Sequence, residues 1–327
     1  MLHLRGCFVP MRALHFDGKA ARVIDVPEPE DFADSALVQV SLAGVCDTDL
    51  QLVRGYMQFC GVLGHEFVGT VVAGPDELLG RRVVGEINFA CENCSACHAG
   101  MQRHCPARRV LGIRGADGAF AEFVRIPAAN LHVVPDGIPD EAAVFAEPLA
   151  AAFEILEQIE IEQGQSCVVL GDGKLGLLIA QVLRDAGGRV LAVGKHPQKL
   201  VILDRLGIET VARSEWTPQP TSLVVEASGS RDGFAAAVAA VKARGTIVLK
   251  STVAERFAVD LAPLVVNEVR VIGSRCGPFP PALRALEKGA VEVAPLISSR
   301  VPLQRADEAL RRAGIPGTLK VLIEARD

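Results

Sequence analysis

The sequence predicts an α/β protein, with a β-rich N-terminal part followed by a part in which strands and helices alternate. In the N-terminal part, short runs rich in Val, Ala and Leu are separated by glycines that fit tight turns. From residue 166 onward, apolar strand segments alternate with helical segments, and the first pair encloses the motif GDGKLG. A chain of 327 residues is long enough to form two such domains.

Composition excludes several classes of function. The net charge is −5 and is spread along the chain, whereas nucleic-acid binding usually needs a basic stripe. No apolar run approaches the roughly 18–20 residues that span a bilayer, and the first ten residues are too short and weakly apolar for a signal peptide. Because the sequence shows no secretory segment, its nine cysteines indicate a reducing compartment, the cytoplasm, and a use in metal binding. His3 and Cys7 are assigned no role.

The β-rich part contains five predicted strand segments before a helical stretch. The segments are residues 13–16, 36–40, 63–73, 82–87 and 120–126. The helical stretch, residues 139–153, is rich in alanine and contains Glu147 followed by Pro148. Because proline starts or kinks a helix and keeps the preceding residue extended, Glu147 is expected to project from a helix break.

A first group of metal-ligand types lies between residues 44 and 69. Cys46 offers a thiolate, His65 an imidazole and Glu66 a carboxylate, while the hydroxyl of Thr48 lies two residues after the cysteine. A catalytic zinc ion has three protein ligands of these types and one open position. A buried cysteine and a histidine in ordinary packing are the alternative, and at this point the two interpretations are about equally weighted.

Four cysteines form a second and more specific group. Cys91, Cys94, Cys97 and Cys105 can close around one tetrahedral zinc ion with no open position, as in a structural zinc site. Disulfides are the first alternative, but cysteines only three residues apart bridge poorly. An iron–sulfur cluster is the second, and its usual cysteine spacings differ from this one. The lobe around these cysteines, residues 92–107, is expected to have little regular secondary structure.

The second half opens with a predicted βαβ unit. A strand at 167–170 leads into a glycine loop, a helix at 175–184 and a second strand at 189–193. Gly171, Gly173 and Gly176 follow the G-x-G-x-x-G spacing that lets the backbone approach a dinucleotide pyrophosphate at a helix N-terminus. Further segments are predicted as strands at 222–226, 246–249, 269–272 and 319–323, and as helices at 234–243 and 303–312.

The end of the second strand of this unit indicates which dinucleotide is bound. NAD-selective sites place Asp or Glu there to bind the ribose hydroxyls. This chain has Gly194, Lys195 and His196, with Lys199 nearby, so three groups can attract a 2′-phosphate and no carboxylate stands there to repel it. The residues therefore favour NADP, with NAD still possible. Solvated loop cations with relaxed cofactor choice are the alternative.

These motifs together resemble the zinc-dependent medium-chain dehydrogenases, the superfamily of alcohol, polyol and threonine dehydrogenases. The resemblance rests on GVCDTDL, GHEFVGTV, the four-cysteine lobe, GAFAEFVRIP, AEPLA and the glycine loop, in which Lys174 and Leu175 join the cofactor-binding residues. It implies a barrel-like GroES-like catalytic domain at 1–149, a Rossmann domain with a doubly wound parallel sheet at 150–280, and a return to the catalytic domain at 281–327. It also implies a homo-oligomer, a dimer or tetramer.

The resemblance further implies alcohol oxidation with two zinc ions per chain, one catalytic and one structural. It makes Glu147 a ligand of the catalytic zinc or its near neighbour, and it leaves open whether Glu66 or Glu147 is the ligand. Thr48 would pass on the substrate's hydroxyl proton. The family often has a histidine three residues later, but here Gln51 stands there, so the relay must end on water, a ribose hydroxyl, Asp47 or Asp49. Glu ligation favours polyols, sugars, amino alcohols or secondary alcohols as substrates.

Two other functions are weighed against this one. The first is an aldehyde or ketone reductase of the same family working mainly towards the alcohol, because a sequence does not set the direction of the reaction. The second is a binding module without turnover, in which the zinc lobe contacts a partner. The acidic net charge and the complete set of candidate catalytic residues argue against the binding module.

Overall fold

The computed structural model describes residues 10–252 and 258–326, so His3 and Cys7 lie outside the described residues. The chain divides into two compact units, of which the first comprises 1–147 with 297–327 and the second comprises 148–296. These limits differ from the predicted domain boundaries at 149/150 and 280/281, mainly because residues 281–296 belong to the second unit.

Nineteen strands are present in the described residues. In chain order they are β1 Pro10–Phe16, β2 Ala21–Pro27, β3 Ser35–Gly44, β4 Gly61–Val62, β5 Glu66–Ala73, β6 Arg82–Gly85, β7 Asn88–Phe89, β8 Arg109–Leu111, β9 Gly115–Ala116, β10 Phe123–Pro127, β11 Leu131–Val133, β12 Ser166–Leu170, β13 Arg189–Gly194, β14 Glu209–Ala212, β15 Thr221–Glu226, β16 Val241–Leu249, β17 Arg270–Gly273, β18 Ile297–Pro302 and β19 Lys320–Glu324.

Ten α-helices accompany these strands in the same residues. They are α1 Asp47–Leu52, α2 Ser95–His98, α3 Asp140–Ala143, α4 Ala146–Gln158, α5 Lys174–Asp185, α6 Pro197–Asp204, α7 Arg231–Ala240, α8 Ala262–Val266, α9 Phe279–Glu287 and α10 Ala306–Ala313. No helix in this part of the chain is long and apolar enough to cross a membrane.

The first unit is built on a seven-stranded, mostly antiparallel sheet. Its strand order is β11-β6-β5-β3-β19-β18, and β10 pairs with β3 off this path. Strand β3 is the centre of the sheet, and eight of its ten residues are buried because other elements cover it on both faces. It pairs antiparallel with both β5 and β19 near Gly44, so segments from residues 44, 66 and 322 meet at one end of the sheet. This meeting point positions the candidate active site.

The second unit contains a six-stranded, fully parallel sheet. Its order β14-β13-β12-β15-β16-β17 is the order 3-2-1-4-5-6 of the doubly wound dinucleotide-binding fold. The strands are short and rich in Val, Ile and Leu, as expected where helices cover both faces of a sheet. Trp216, Val168 and Ile247 are among the residues of its core. The order reverses between β12 and β15, where such sheets bind their ligands.

Three predicted helices differ from the observed ones at their ends. The stretch 139–153 forms two helices, α3 and α4, which are separated by a turn at residues 144–145. Helix α7 ends at Ala240, since Val241 already pairs with Thr221 as the first residue of β16. The predicted helix 303–312 begins with a 3₁₀ turn, and α10 follows it with ion pairs between residues four apart.

Candidate active site

Cys46 immediately precedes α1 and lies two residues after Gly44, the last residue of β3. Its backbone is extended, with φ −101° and ψ 159°, so it acts as the N-cap of the helix. The Asp49 carboxylate accepts the Cys46 backbone N–H through Oδ2 at 2.8 Å, which fixes the turn that carries the thiol. The Thr48 hydroxyl lies 3.7 Å from Cys46 Sγ, so thiol and hydroxyl are presented side by side.

His65 and Glu66 reach the same point from the start of β5. Gly44 of β3 pairs with Glu66 across the sheet, which brings the β5 end against the Cys46 turn. His65 is 3% exposed and Glu66 is 1% exposed, whereas Cys46 is partly accessible. One ligand atom from each of Cys46, His65 and Glu66 lies within 4.8 Å of the other two. The three residue types predicted from the sequence therefore form one compact donor group.

A buried lysine completes the surroundings of Glu66. Lys320, at the start of β19, is 0% exposed, and its Nζ donates to Glu66 Oε2 in a close ion pair. The ammonium also lies 5.4 Å from the centre of the Phe145 ring. Gly44 makes this packing possible, because a Cβ at that position would collide with Glu66 Oε2 and lie 3.3 Å from Lys320 Cδ. Lys320 therefore holds one oxygen of Glu66, Oε2, and the other oxygen, Oε1, remains available to a ligand.

The donor group fits a zinc ion. Glu66 Oε1 is buried and has no hydrogen-bond partner among the described residues. An unpartnered carboxylate oxygen is costly to bury, and a cation that it could bind would remove this cost. A thiolate, an imidazole and a carboxylate are a ligand set that zinc uses in catalytic sites. Asp49 lies 3.3 Å from His65 Nδ1 and can orient the ring, as carboxylates behind metal-binding histidines do.

Asp49 also controls the protonation of His65 in the metal-free site. Burial alone would lower the pKa of His65, but the Asp49 carboxylate and the Cys46 sulfur more than offset burial, so the pKa is raised well above its usual value. In the metal-free protein, the protonated ring therefore contributes stability below the ordinary histidine pKa. This contribution disappears as the pH rises through the raised value.

Zinc affinity at this site should consequently rise with pH. The imidazole must lose its proton to bind a metal, so each unit of pH below the raised pKa costs about a factor of ten in affinity for this proton alone. Competition with a zinc chelator at several pH values between 5.5 and 8.5 measures this dependence. An Asp49→Asn variant should show a weaker dependence because it lacks the charge that raises the pKa. An affinity that does not change with pH in the wild-type protein would contradict the account.

Glu147 lies in the first turn of α4 and is not a member of this donor group. A helix break does precede it, but Glu147 is itself helical rather than extended as predicted, because Pro148 lies in the first turn of α4, where proline is tolerated; Glu147 is half-buried. Asp49 is fully buried and its two oxygens face Cys46 N–H and His65, so it is not an exit for a proton. Asp47, one of the other predicted relay ends, is exposed.

The four-cysteine lobe has the geometry of a tetrahedral thiolate site. The four sulfur atoms lie within 4.8 Å of one another, and four contacts between them measure 3.4, 3.5, 3.8 and 4.0 Å. Four sulfurs at the usual zinc distance of about 2.3 Å would be roughly 3.8 Å apart. All four are free thiols rather than disulfides. The lobe has more regular structure than predicted, namely α2 and a 3₁₀ turn at Gln102–His104.

Replacing one of these sulfurs should unfold the lobe. Cys97 is buried, so Cys97→Ser is expected to remove one bound zinc ion and to lower the free energy of unfolding by several kcal/mol, since structural zinc contributes to folding directly. Zinc analysis and thermal melting measure both effects. Cys60→Ser is the matched control, because Cys60 is exposed and belongs to neither cluster. A Cys97→Ser protein with unchanged melting and undiminished zinc would contradict this assignment.

The glycine loop follows β12 in the second unit, as predicted. A Cβ at Gly171, where φ is 124°, would strike the backbone of Ala227, and a Cβ at Gly176 would strike the carbonyl of Gly171. Nothing lies within 4 Å of a Cβ built at Gly173, the N-cap of α5, so the backbone there is open to a ligand. Lys174 is buried, and Leu175 is half-buried at the start of the same helix.

The end of β13 differs from the prediction in one respect. The sequence indicated that no carboxylate stands beside Gly194, but the Asp172 side chain from the glycine loop lies there, and a Cβ on Gly194 would be 2.7 Å from its Oδ2. The predicted cations are present: Lys195 is exposed and His196 is half-exposed. Lys199 is 8% exposed, and its ammonium has no hydrogen-bond or ion-pair partner among the residues described.

The sequence did not assign three residues to the roles they have, Asp49 and Lys320 beside the donor group of the first unit and Asp172 in the glycine loop of the second. Asp49 was considered only as a proton acceptor, although its spacing three residues after Cys46 is that of a capping box. Lys320 and Asp172 gave no local signal, because each meets its partner only through the pairing of strands distant in the sequence.

Comparisons with known proteins agree with this geometry. A family model described as alcohol dehydrogenase GroES-like domain matches residues 33–136, and one described as zinc-binding dehydrogenase matches residues 175–288. L-Threonine 3-dehydrogenase of Streptomyces avermitilis is 30% identical over 92% of this chain and 95% of its own length. D-Arabitol-phosphate dehydrogenase of Enterococcus avium is 27% identical over 92% of this chain and 93% of its own.

A solved structure shares the fold of the described chain. It is a protein assigned as a zinc-binding dehydrogenase from Sinorhizobium meliloti 1021, bound to NADP. The TM-score is 0.89 at 29% identity, and the comparison covers 97% of this chain and 99% of the other.

Proposed function

Since the chain belongs to the zinc-dependent medium-chain dehydrogenases, a family of alcohol oxidoreductases, we propose that it oxidises a polyol, sugar, amino alcohol or secondary alcohol with NADP. The observation that carries the proposal is the donor group of Cys46, His65 and Glu66 in one unit, combined with the glycine loop of the other. The alternative of a binding module without turnover has no comparable support.

The third ligand of the catalytic site is proposed to be Glu66 rather than Glu147. Glu66 Oε1 is buried and unpartnered among the described residues, and Lys320 holds Oε2, so the carboxylate is fixed in orientation. Glu147 is outside the donor group and is better placed to interact with the N-terminus of its own helix. Cys91, Cys94, Cys97 and Cys105 are proposed to hold the second, structural zinc ion.

In the proposed mechanism, each side chain has a separate task. Zinc bound by Cys46, His65 and Glu66 would act as a Lewis acid that lowers the pKa of the substrate hydroxyl. Thr48 accepts the proton of that hydroxyl and passes it outward, since its own hydroxyl lies beside the Cys46 thiolate. Asp49 orients His65, and Lys320 holds the Glu66 carboxylate in place. The glycine loop binds the dinucleotide that takes up the hydride.

NADP is proposed as the preferred dinucleotide and NAD as a weaker alternative. Lys199, in α6, has no ion-pair partner among the described residues, and Lys195 is an exposed cation on the loop just before this helix. A 2′-phosphate could form charge-assisted contacts with both, whereas a ribose hydroxyl carries no charge to pair with them. The relative from S. meliloti, which binds NADP, supports this preference. The free thiols of the described chain support the cytoplasm as its location.

The chain is also proposed to form a homo-oligomer through the edge of its parallel sheet. Among the residues that the structure describes, β17 pairs with β16 alone, so its other edge offers backbone groups for pairing. Next to it Val265 is 75% exposed, Val266 is 79% exposed and Leu261 is 60% exposed. A second copy related by a twofold axis can pair its own β17 with this edge and cover the exposed apolar residues on both copies.

A charge within this apolar surface should therefore separate the copies. Val266→Glu is expected to give a monomer at micromolar concentration, where the wild-type protein is a dimer or larger, because the carboxylate would be buried unpaired in the interface. Size-exclusion chromatography with light scattering measures the mass. Ile315→Glu is the control, since Ile315 is 58% exposed in the other unit. A wild-type protein that is already monomeric would overturn the proposal.

A turnover screen tests the proposed reaction. Polyols, sugars, amino alcohols and secondary alcohols are each supplied with NADP and with NAD, with and without a zinc chelator, and the matching carbonyl compounds are supplied with the reduced cofactors. Reduction of NADP by one substrate class, lost on chelation, is the expected result. Turnover that resists removal of all zinc would contradict the role of the donor group.

A further inference from the structure

Lys250 is a half-buried lysine that the proposed reaction does not use, and it follows the last residue of β16. Its Nζ atom donates to three oxygen atoms of the second unit: the Ala151 carbonyl in α4 at 2.6 Å, the Arg275 carbonyl at 2.9 Å and the Ser274 hydroxyl at 3.1 Å. An ammonium group has three protons to donate, so these contacts are enough to use all of them. One side chain thus joins the end of a strand, the segment after β17 and a helix.

The segment after β17, residues 274–277, also meets α4 at a second point. A Cβ on Gly277 would strike the carbonyl of Ala150 and would lie 2.8 Å from the backbone nitrogen of Glu154. Only a glycine lets the two backbones approach this closely. The segment is therefore fixed against the helix twice, by the hydrogen bonds of Lys250 at its start and by this close approach at its end.

These contacts lie at the carboxyl edge of the parallel sheet. Glu226, Leu249 and Gly273, the last residues of β15, β16 and β17, are paired in register, so the three strands end at one level. The backbone N–H of Lys250 donates to the Glu226 carbonyl at 2.9 Å, and the Ser274 N–H donates to the carbonyl of the β16 end at 3.0 Å. Lys250 and Ser274 are thus the first residues beyond the strand ends, where doubly wound sheets bind their ligands.

The strand order indicates which half of the dinucleotide lies at this part of the edge. A sheet of order 3-2-1-4-5-6 consists of two halves, and each half binds one mononucleotide. The first half, β12 to β14, carries the glycine loop for the pyrophosphate, and the end of its second strand is the place for the adenosine ribose. The nicotinamide nucleotide therefore falls to the second half, β15 to β17, where Lys250 lies.

We propose that Lys250 is a positioning residue for the nicotinamide ring, because it holds the segment 274–277 against α4 and so gives the ring a fixed backbone surface to bind. The inference rests on the proposed function, in which the dinucleotide takes up the hydride, and it extends that function to a residue that acts through the backbone of its neighbours. Lys250→Met keeps a side chain of similar length but removes all three donated hydrogen bonds. The freed segment would have to be ordered on binding, which costs affinity.

Binding of a whole dinucleotide, compared with the same molecule without its nicotinamide, tests this role without turnover. The ligands are NADPH or NADH, whichever the wild-type protein binds more tightly, and the matching ADP-ribose with or without a 2′-phosphate. In Lys250→Met, calorimetric titration should show about a tenfold higher dissociation constant for the dinucleotide, the equivalent of one charge-assisted hydrogen bond. The constant for the ADP-ribose compound should stay within about twofold. Lys242→Met is the matched control, because Lys242 is exposed near the other end of β16.

Gly277→Ala tests the same segment without changing the lysine. The added Cβ would push the segment away from α4, so the dinucleotide should again bind more weakly while the ADP-ribose compound does not. A ratio of the two constants that keeps its wild-type value in Lys250→Met would overturn the inference, and so would an equal loss for both ligands, which indicates general damage to the unit. If Lys250→Met does not fold, an unchanged ratio in Gly277→Ala overturns the inference instead.

Failure of the proposed function gives a different result. A wild-type protein that binds neither dinucleotide would contradict the proposed reaction and this inference with it. A wild-type protein that binds one of them, with variants that keep its ratio of constants, would contradict only the role of Lys250.

Discussion

Cys46→Ala should abolish turnover and leave dinucleotide binding intact. The substitution removes the thiolate from the donor group of Cys46, His65 and Glu66 but changes nothing in the second unit, which carries the glycine loop. Lewis-acid activation lowers the activation free energy by several kcal/mol. Each 1.36 kcal/mol changes the rate by a factor of ten, so a loss of about a thousandfold or more in kcat is expected. The measurement is kcat with the best substrate of the screen, together with calorimetric titration of NADP.

Cys60→Ala is the control for this variant, because it removes an exposed thiol from the same unit. It should keep both kcat and the dissociation constant for NADP within about twofold of the wild-type values. A Cys46→Ala enzyme with normal kcat would show that the donor group is not the catalytic centre. Loss of NADP binding along with kcat would instead point to a general folding defect.

Lys320→Met should give the largest loss of stability among single substitutions near the site. Lys320 and Glu66 are 0% and 1% exposed, and methionine would leave the Glu66 carboxylate buried beside an apolar side chain. Removing one partner of a buried ion pair costs about 3–5 kcal/mol. For a unit of this size, the loss corresponds to a fall of roughly 6–20 °C in melting temperature. Thermal melting of the zinc-loaded and chelator-treated proteins measures the loss, which should be larger without zinc.

A second substitution separates charge from packing. Glu66→Gln in the Lys320→Met background removes the unpaired charge and should recover most of the lost stability, while turnover stays low because a zinc ligand is gone. Lys19→Met, at an exposed lysine of the same unit, should leave melting unchanged. If Lys320→Met alone melts like the wild-type protein, the buried pair does not hold Glu66 in place.

The elements with local signals were predictable from the sequence. The four cysteines within fifteen positions predicted the tetrahedral site, because ligands so close in sequence can meet without any pairing between distant segments. The glycine loop also needed only a strand, a turn and a helix in succession, and the family models and the parallel sheet confirm the doubly wound fold. Cys46, His65 and Glu66 were recognisable as donor types before their meeting point was known.

What could not be predicted depends on pairing between distant segments. Lys320 reaches Glu66 across 254 positions, because β19 and β5 both pair with β3. Asp172 meets His196 only because β12 and β13 are neighbours in the parallel sheet, so the sequence suggested that the end of β13 lacked a carboxylate. The early start of β16 at Val241 is a similar case, since pairing with Thr221 outweighs the helical tendency of the preceding alanines.

The most direct test of the central claim is the zinc content per chain of the wild-type protein, Cys46→Ala and Cys97→Ser. The account of two separate sites predicts about two zinc ions in the wild-type protein and about one in each variant. It also predicts that Cys46→Ala keeps the wild-type fold, because the zinc ion that remains is the structural one. Two zinc ions in Cys46→Ala, or only one in an active wild-type protein, would contradict the assignment of a catalytic zinc to Cys46, His65 and Glu66.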